Sequence, residues 1–279
     1  MKRIHIIGLS PRTGTTLITE VMKTCYSIDC WAEHEKSLFS RPKKSCNIFL
    51  TKEPHDIMMV GPSLRVDPDL YVICMIRDPR DVICSVHKKD PGHYWTNLRR
   101  WQRYAKIYDK ISSYSRFIPV RYESFVSNPD KVQKYISRNI PFLEQKIPFS
   151  QYHKAVNVSD ASKEALGSVR PIKPTSVGKW RKHKNRVVGQ LKLYGPISDK
   201  LIKFDYEESE QWLDELKGIE PDWGPSHFAG LRIPMQKLVA LIGKYPEAAR
   251  RIVEQKMGYR FGLKIAKIKK KLLPFKKKF

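Results

Sequence analysis

Nowhere in this sequence do apolar residues run on for the roughly 20 positions that a bilayer-spanning helix needs. The apolar stretch that follows Met1-Lys2-Arg3 is too short for a secretory signal. On those absences the expectation is a protein inside the cell, either cytoplasmic or peripheral at the inner face of a membrane. Cysteine is scarce: Cys25, Cys30, Cys46, Cys74 and Cys84 are odd in number and lack the close pairs of a zinc site. Reduced, packed thiols are the expectation, with a Cys30–Cys46 disulfide as the minor alternative, and no metal is expected. Zinc-finger spacing, a basic zipper and an RNP-like aromatic run are all missing, which argues against a specific nucleic-acid partner. No internal repeat is present. Acidic residues are few, 28 Asp and Glu against 53 Lys and Arg, and the formal charge of +25 concentrates anions around the molecule.

What is present suits a globular chain, since 41% of residues are hydrophobic, enough for a real core. Residues 3–8 read as a strand ending in Gly8, followed by a loop and by Leu17, Ile18, Val21 and Met22 at helical spacing. Residues 47–51 read as a second strand. The uninterrupted run Leu70 to Ile76 reads as a third, buried on both faces of a parallel sheet. Asp78 then caps a helix with Pro79 in its first position. A long helix is expected from Tyr94 to Tyr114, a fourth strand at 116–121, and a helix from Pro129 to Leu143. Residues 144–185 read largely as loop, with helical periodicity resuming at 197–202 and 207–216. Strands alternating with helices predict an α/β fold, a three-layer sandwich around a mostly parallel sheet with a P-loop-like phosphate-binding loop. Residues 1–218 form the predicted catalytic domain and 219–279 a helical, basic C-terminal extension.

The loop between the first strand and helix, Gly8-Leu9-Ser10-Pro11-Arg12-Thr13-Gly14-Thr15-Thr16, sets backbone N–H groups at the positive end of a helix dipole, where phosphate or sulfate binds. Thr15 and Thr16 add hydroxyls and Arg12 a planar cationic fork. It is not a Walker A loop: Gly8 and Gly14 are one residue too far apart, and Thr15 stands where that motif has Lys. A capped turn without a ligand is the lesser alternative for the loop alone. The segment Arg77-Asp78-Pro79-Arg80-Asp81-Val82-Ile83-Cys84-Ser85 joins an Arg at a strand end to a hydroxyl eight residues on, a combination suited to a dianionic phosphomonoester.

In this order the two segments resemble the nucleotide-binding signatures of sulfotransferases that use 3′-phosphoadenosine 5′-phosphosulfate (PAPS). The resemblance implies that Pro11, Arg12, Thr13, Gly14, Thr15 and Thr16 embrace the 5′-phosphosulfate end of the donor and that Arg77 and Ser85 grip its 3′-phosphate. Arg121-Tyr122-Glu123-Ser124-Phe125 resembles a segment whose Tyr approaches the adenine. Lys173-Pro174-Thr175-Ser176-Val177-Gly178-Lys179-Trp180-Arg181 resembles the late basic loop that closes over the 3′-phosphate, with Lys173, Ser176 and Gly178 as contacts. Here the sequence departs from the cytosolic pattern, because Pro174 replaces a basic residue and the R-K-G tripeptide is missing. Core packing accounts equally well for Tyr122 and Trp180. The resemblance spans about residues 3–215.

The implied activity moves a sulfuryl group to an acceptor hydroxyl, with a carbohydrate or glycolipid favoured over a small phenol. It yields adenosine 3′,5′-bisphosphate and requires no metal. Arg12 and Lys52 are the expected charge stabilisers. For the base, Glu33 ranks first and His55 second, with Glu35 and Glu53 behind; each is equally compatible with an ordinary surface carboxylate or a satisfied imidazole. A P-loop nucleotide kinase and a non-catalytic polyanion-binding module are the competing readings. The last residues, rich in lysine with Phe261, Ile265, Ile268 and Leu272 on one helical face, read either as an amphipathic contact with anionic membrane or as a helix packed on the domain.

Overall fold

The computed structural model describes residues 1–33, 35–87, 90–155 and 170–228. Five parallel strands form the central sheet, in the order β2-β3-β1-β4-β7: β1 (Lys2–Gly8), β2 (Cys30–Trp31), β3 (Ile48–Lys52), β4 (Leu70–Ile76) and β7 (Phe117–Arg121). β1 and β4 lie in the middle and are almost wholly buried, which is why their sequences are apolar throughout rather than alternating. The expected strands and the α/β layering are all present.

Helices cover both faces. On one lie α1 (Thr15–Cys25), α5 (Tyr122–Ser127), α6 (Pro129–Asn139) and α7 (Tyr152–Ala155), around a core that includes Ile4, Ile6, Ile18, Ile73 and Phe125. On the other lie α2 (Ile57–Val66), α4 (Leu98–Ile111), α8 (Lys184–Tyr194) and α9 (Ser198–Lys203), around Ile7, Val72, Cys74, Trp101 and Trp180. The chain leaves β1 toward β3 on one side and returns from β3 to β4 on the other. Topology therefore reverses between β1 and β4, where α/β sheets open a crevice at their carboxyl ends.

Several local expectations change. The helix expected from Tyr94 begins only at Leu98, where Asn97 accepts a hydrogen bond from the Arg100 amide. The residues before it form β6 (Asp90–Thr96), which lies between β5 (Val86–His87) and β8 (Ser226–Phe228) in a separate three-stranded sheet. Aromatic and β-branched residues at 94–96 suit a strand as well as a helix, so the cap decides. The helix α2 is unannounced because Gly61 and Pro62 sit inside it; Gly61 is required there, since a Cβ would come within 2.9 Å of Ile111 on α4. Residues 144–185 hold short helical turns at 149–151 and 179–182 besides α7. Residues 219–228, assigned to the extension, pack on the domain: Arg186 donates to the Gly224 carbonyl and the Ser226 hydroxyl, and Gly189 has room only for hydrogen beside the Asp222 carbonyl. The remainder of the extension lies outside the described residues. All five cysteines are free thiols, four of them buried.

Candidate active site

At the carboxyl ends of β1 and β4 the loop after β1, the turn after β4 and the segment 176–180 come together. Gly14 closes the first loop as the N-cap of α1, with φ of 89°, and a Cβ there would meet the Tyr122 ring at 2.6 Å. Backbone conformation and close packing both demand glycine at this point. Arg12 also takes a left-handed φ, 69°, unusual for a residue with a side chain. Thr13 is locked by its hydroxyl bond to the Ser10 carbonyl at 3.0 Å.

Arg12 and Arg77 converge here. The Arg12 Nε donates to the Ser85 hydroxyl at 3.0 Å, and its guanidinium lies 5.4 Å from the Trp95 ring centre. Arg77 follows β4 directly; one of its nitrogens donates to the Arg12 carbonyl at 3.0 Å and another to the Ser176 carbonyl. Its guanidinium stacks 4.6 Å from the Tyr122 ring and pairs with Asp81 at 3.6 Å. No carboxylate pairs with Arg12 among the described residues. The protein packed around it, and then the charge of Arg77, push its pKa down, although the residue keeps solvent contact. A site with two facing cations, a hydroxyl and a helix N-terminus is built to take a multivalent anion.

Ser85 reaches this cluster by a different route from the expected one. The helix α3 (Pro79–Ile83) is only five residues long, so Ser85 lies past its end rather than inside it. Asp78 does cap α3, accepting from the Arg80 amide, with Pro79 in the first turn. Tyr122 is buried against Gly14 and Arg77, and the Ser176 backbone approaches Arg77, so both join the site. Trp180 is fully buried in the core on the α4 side, stacked over Arg80. Lys173 is exposed, away from these bonds.

Lys52, the last residue of β3, donates to the Thr16 hydroxyl at 3.1 Å and pairs with Glu35 at 3.5 Å. An ammonium thus sits beside the start of α1. Of the candidate bases, Glu33 is exposed and makes no hydrogen bond or ion pair among the described residues. His55 Nδ1 lies 3.1 Å from an Arg100 guanidinium nitrogen and 3.5 Å from the Tyr104 hydroxyl. A guanidinium can only donate, so in this contact Nδ1 is the acceptor.

Two supporting carboxylates lie outside the expected site residues, although pairing of Arg77 with Asp81 is the alternative reading of that segment. Asp81 accepts from the Gly178 and Trp180 amides, both at 2.9 Å, and so clasps the late loop to the turn that carries Arg77. Gly178, φ 70°, makes that bend possible. Glu123 accepts from the Asp78 amide at 3.0 Å and the Tyr206 hydroxyl at 3.1 Å. Burial above all pushes both carboxyls up. The available signal was their position inside the two quoted segments, Asp81 four residues after Arg77 and Glu123 beside Tyr122.

No curated protein sequence matches the chain. Among solved structures, the sulfotransferase domain of the Synechococcus PCC 7002 olefin synthase aligns at 16% identity and a TM-score of 0.42, covering 64% of this chain and 87% of that one. The sulfotransferase domain of the curacin biosynthetic pathway aligns at 12% identity and a TM-score of 0.39, over 66% and 97%. Retinol dehydratase in complex with retinol and PAP aligns at 12% identity and a TM-score of 0.34, over 84% of each chain. The family model described as "Sulfotransferase family" matches residues 21–140, a span that starts after the Pro11–Thr16 loop and holds Lys52, Arg77, Ser85 and Tyr122. Over that span, which is less than half of the chain, the sequence is similar to the sulfotransferase family.

Proposed function

We propose that this chain transfers the sulfuryl group of PAPS to an acceptor hydroxyl. The observation that carries the reading is the convergence of Arg12, Arg77 and Ser85 on one crevice at the head of α1, with Arg12 lacking a carboxylate partner among the described residues. Arg77 and Ser85 would hold a 3′-phosphate, and the Thr13–Thr16 backbone with Lys52 a 5′-phosphosulfate. When bound, the donor supplies an electrophilic sulfur and a phosphate leaving group. The chain's own part is to orient and to neutralise. Lys52 holds a positive charge beside Thr16, where a leaving phosphate gathers negative charge, and Arg12 does the same from the other wall. Glu35, placed behind Glu33 and His55 on sequence, is the candidate base that is tied to Lys52.

For the acceptor, a hydroxyl on a glycan or glycolipid is the finer proposal. Trp31, 43% exposed at the end of β2, supports it as a flat apolar platform, whereas Trp101 and Tyr104 belong to the core. Transfer of labelled sulfate to a panel of sugar, phenol and alcohol hydroxyls identifies the class. Calorimetry tests the donor site: adenosine 3′,5′-bisphosphate should bind at least about tenfold more tightly than ATP or an oligonucleotide, the worth of one charged hydrogen bond. Preference for ATP would point to a nucleotide kinase, and preference for the oligonucleotide to a polyanion-binding module.

A further inference from the structure

On the small sheet beside the donor crevice three side chains of metal-binding type meet: Asp90 and His93 of β6 and His227 of β8. Their ligating atoms all lie within 4.8 Å of one another. Asp90 Oδ2 is 2.7 Å from His93 Nδ1 and 3.0 Å from His227 Nε2, and the two imidazole rings are 4.9 Å apart.

The strand pairing explains how they meet. Residues three apart on a regular strand face opposite sides. Here Val86 of β5 pairs with Tyr94 while the next residue, His87, pairs with Asp90, so residues 91–93 bulge out of the ladder. Pro91-Gly92 forms the bend, and it returns His93 to the side of Asp90. β8 runs parallel to β6 with Tyr94 opposite Ser226 and Thr96 opposite Phe228, which brings His227 alongside.

We propose that Asp90, His93 and His227 bind one divalent transition-metal ion of the zinc type, cross-linking β6 to β8. Two imidazoles and a carboxylate are a borderline N/O donor set, suited to Zn²⁺ or Co²⁺ and poorly suited to Mg²⁺ or Ca²⁺, which favour all-oxygen shells. Bonds of about 2.0–2.1 Å in a tetrahedron put ligand atoms about 3.3–3.5 Å apart, so the present positions need changes of at most about 1.5 Å. His93 Nδ1 is shielded from solvent and faces the same Asp90 oxygen, Oδ2, that His227 Nε2 approaches, so both imidazoles converge on one carboxylate oxygen. The fourth position is left to water. The ion would also brace the donor crevice, because the Trp95 amide of β6 donates to the Ser85 carbonyl at 2.9 Å and the Trp95 ring lies under Arg12. The site stands independently of the sulfuryl-transfer reading.

The test is Co²⁺ titration of the full chain, followed by visible d–d absorption, with Zn²⁺ displacement and melting temperature as second readouts. One equivalent of Co²⁺ should bind with an intense tetrahedral-type spectrum, Zn²⁺ should displace it, and the melting temperature should rise on Zn²⁺ addition. His93→Ala, His227→Ala and Asp90→Asn should each raise Kd at least about tenfold, since loss of an outer-shell partner alone costs about 10–100-fold. In chelator each variant should melt with the wild type, because the three side chains are 36–42% exposed; the milder His93→Gln and His227→Gln serve if one does not. A wild-type chain that shows no such spectrum, or variants that bind Co²⁺ as tightly as wild type, would overturn the site.

Discussion

At the scale of single residues, the crevice separates binding from chemistry. Arg77 and Ser85 face the position proposed for a 3′-phosphate, so Arg77→Ala and Ser85→Ala should each weaken adenosine 3′,5′-bisphosphate by at least about tenfold. Adenosine 5′-phosphosulfate, which has no 3′-phosphate, should be affected much less; equal losses by calorimetry would remove the assignment. The base is settled by a second comparison. Glu35→Gln should depress the transfer rate while leaving nucleotide affinity near wild type, because a base acts on the acceptor. Glu33→Gln should have little effect, and the opposite result would restore Glu33 to the first place it holds on sequence. His55→Ala is the control, since His55 Nδ1 is already engaged by Arg100. That Arg12, Arg77 and Ser85 would lie near one another was legible in the sequence, because Arg12 follows β1 and Arg77 and Ser85 follow its neighbour β4 at short, fixed distances along the chain. The carboxylate on Lys52 was not, because Glu35 approaches from a different connection and only folding decides which of several nearby acids arrives.

At the scale of elements, the central strands were legible because burial on both faces leaves an unbroken apolar run in each, as in Leu70–Ile76. The small β5-β6-β8 sheet was hidden, since its pairings join residues near 90 to residues near 226 and no local pattern records that. The late loop belongs to the same class of long-range effect, because Asp81 on α3 holds the Gly178 and Trp180 amides. Burial, aided by Asp78 and opposed by Arg77 and those two amides, raises the Asp81 carboxyl. The sign follows from linkage. A raised folded pKa means that the neutral form is favoured on folding, so this contribution to stability is present below the ordinary carboxylate range and is lost as pH rises through the raised value. Asp81→Asn stays neutral throughout, so its stability should fall less than that of wild type as pH rises above the ordinary carboxylate range. The same substitution leaves one acceptor oxygen for two amides and should loosen the loop over Arg77, weakening adenosine 3′,5′-bisphosphate. Urea unfolding across that pH range, with calorimetry at neutral pH, reads both effects. A variant with the wild-type pH slope and wild-type affinity would show that Asp81 is not the clasp.

At the scale of the whole molecule, charge is the dominant feature, and it is unevenly spread along the chain. From Lys256 to Phe279 ten Lys and Arg residues occur without one acidic residue. Phe261, Ile265, Ile268 and Leu272 recur at steps of four, three and four, the spacing of one helical face, and Pro274 follows where such a helix would end. This segment lies outside the described residues, and no described helix is long and apolar enough to cross a membrane. A basic amphipathic segment gains about 1 kcal/mol per Lys near an anionic surface, a gain that salt screens, and adds the burial of its apolar stripe. The proposal is therefore peripheral attachment through the tail, which would bring the crevice to a lipid-linked or surface-bound acceptor. Deletion of residues 258–279 should abolish co-sedimentation with vesicles containing phosphatidylserine while leaving adenosine 3′,5′-bisphosphate affinity unchanged. Neutral vesicles should retain little of either protein, and raised salt should release the full chain from the anionic ones. If full-length and truncated chains sediment alike, the apolar stripe has another purpose, packing on the domain, and the deletion should then lower the melting temperature instead.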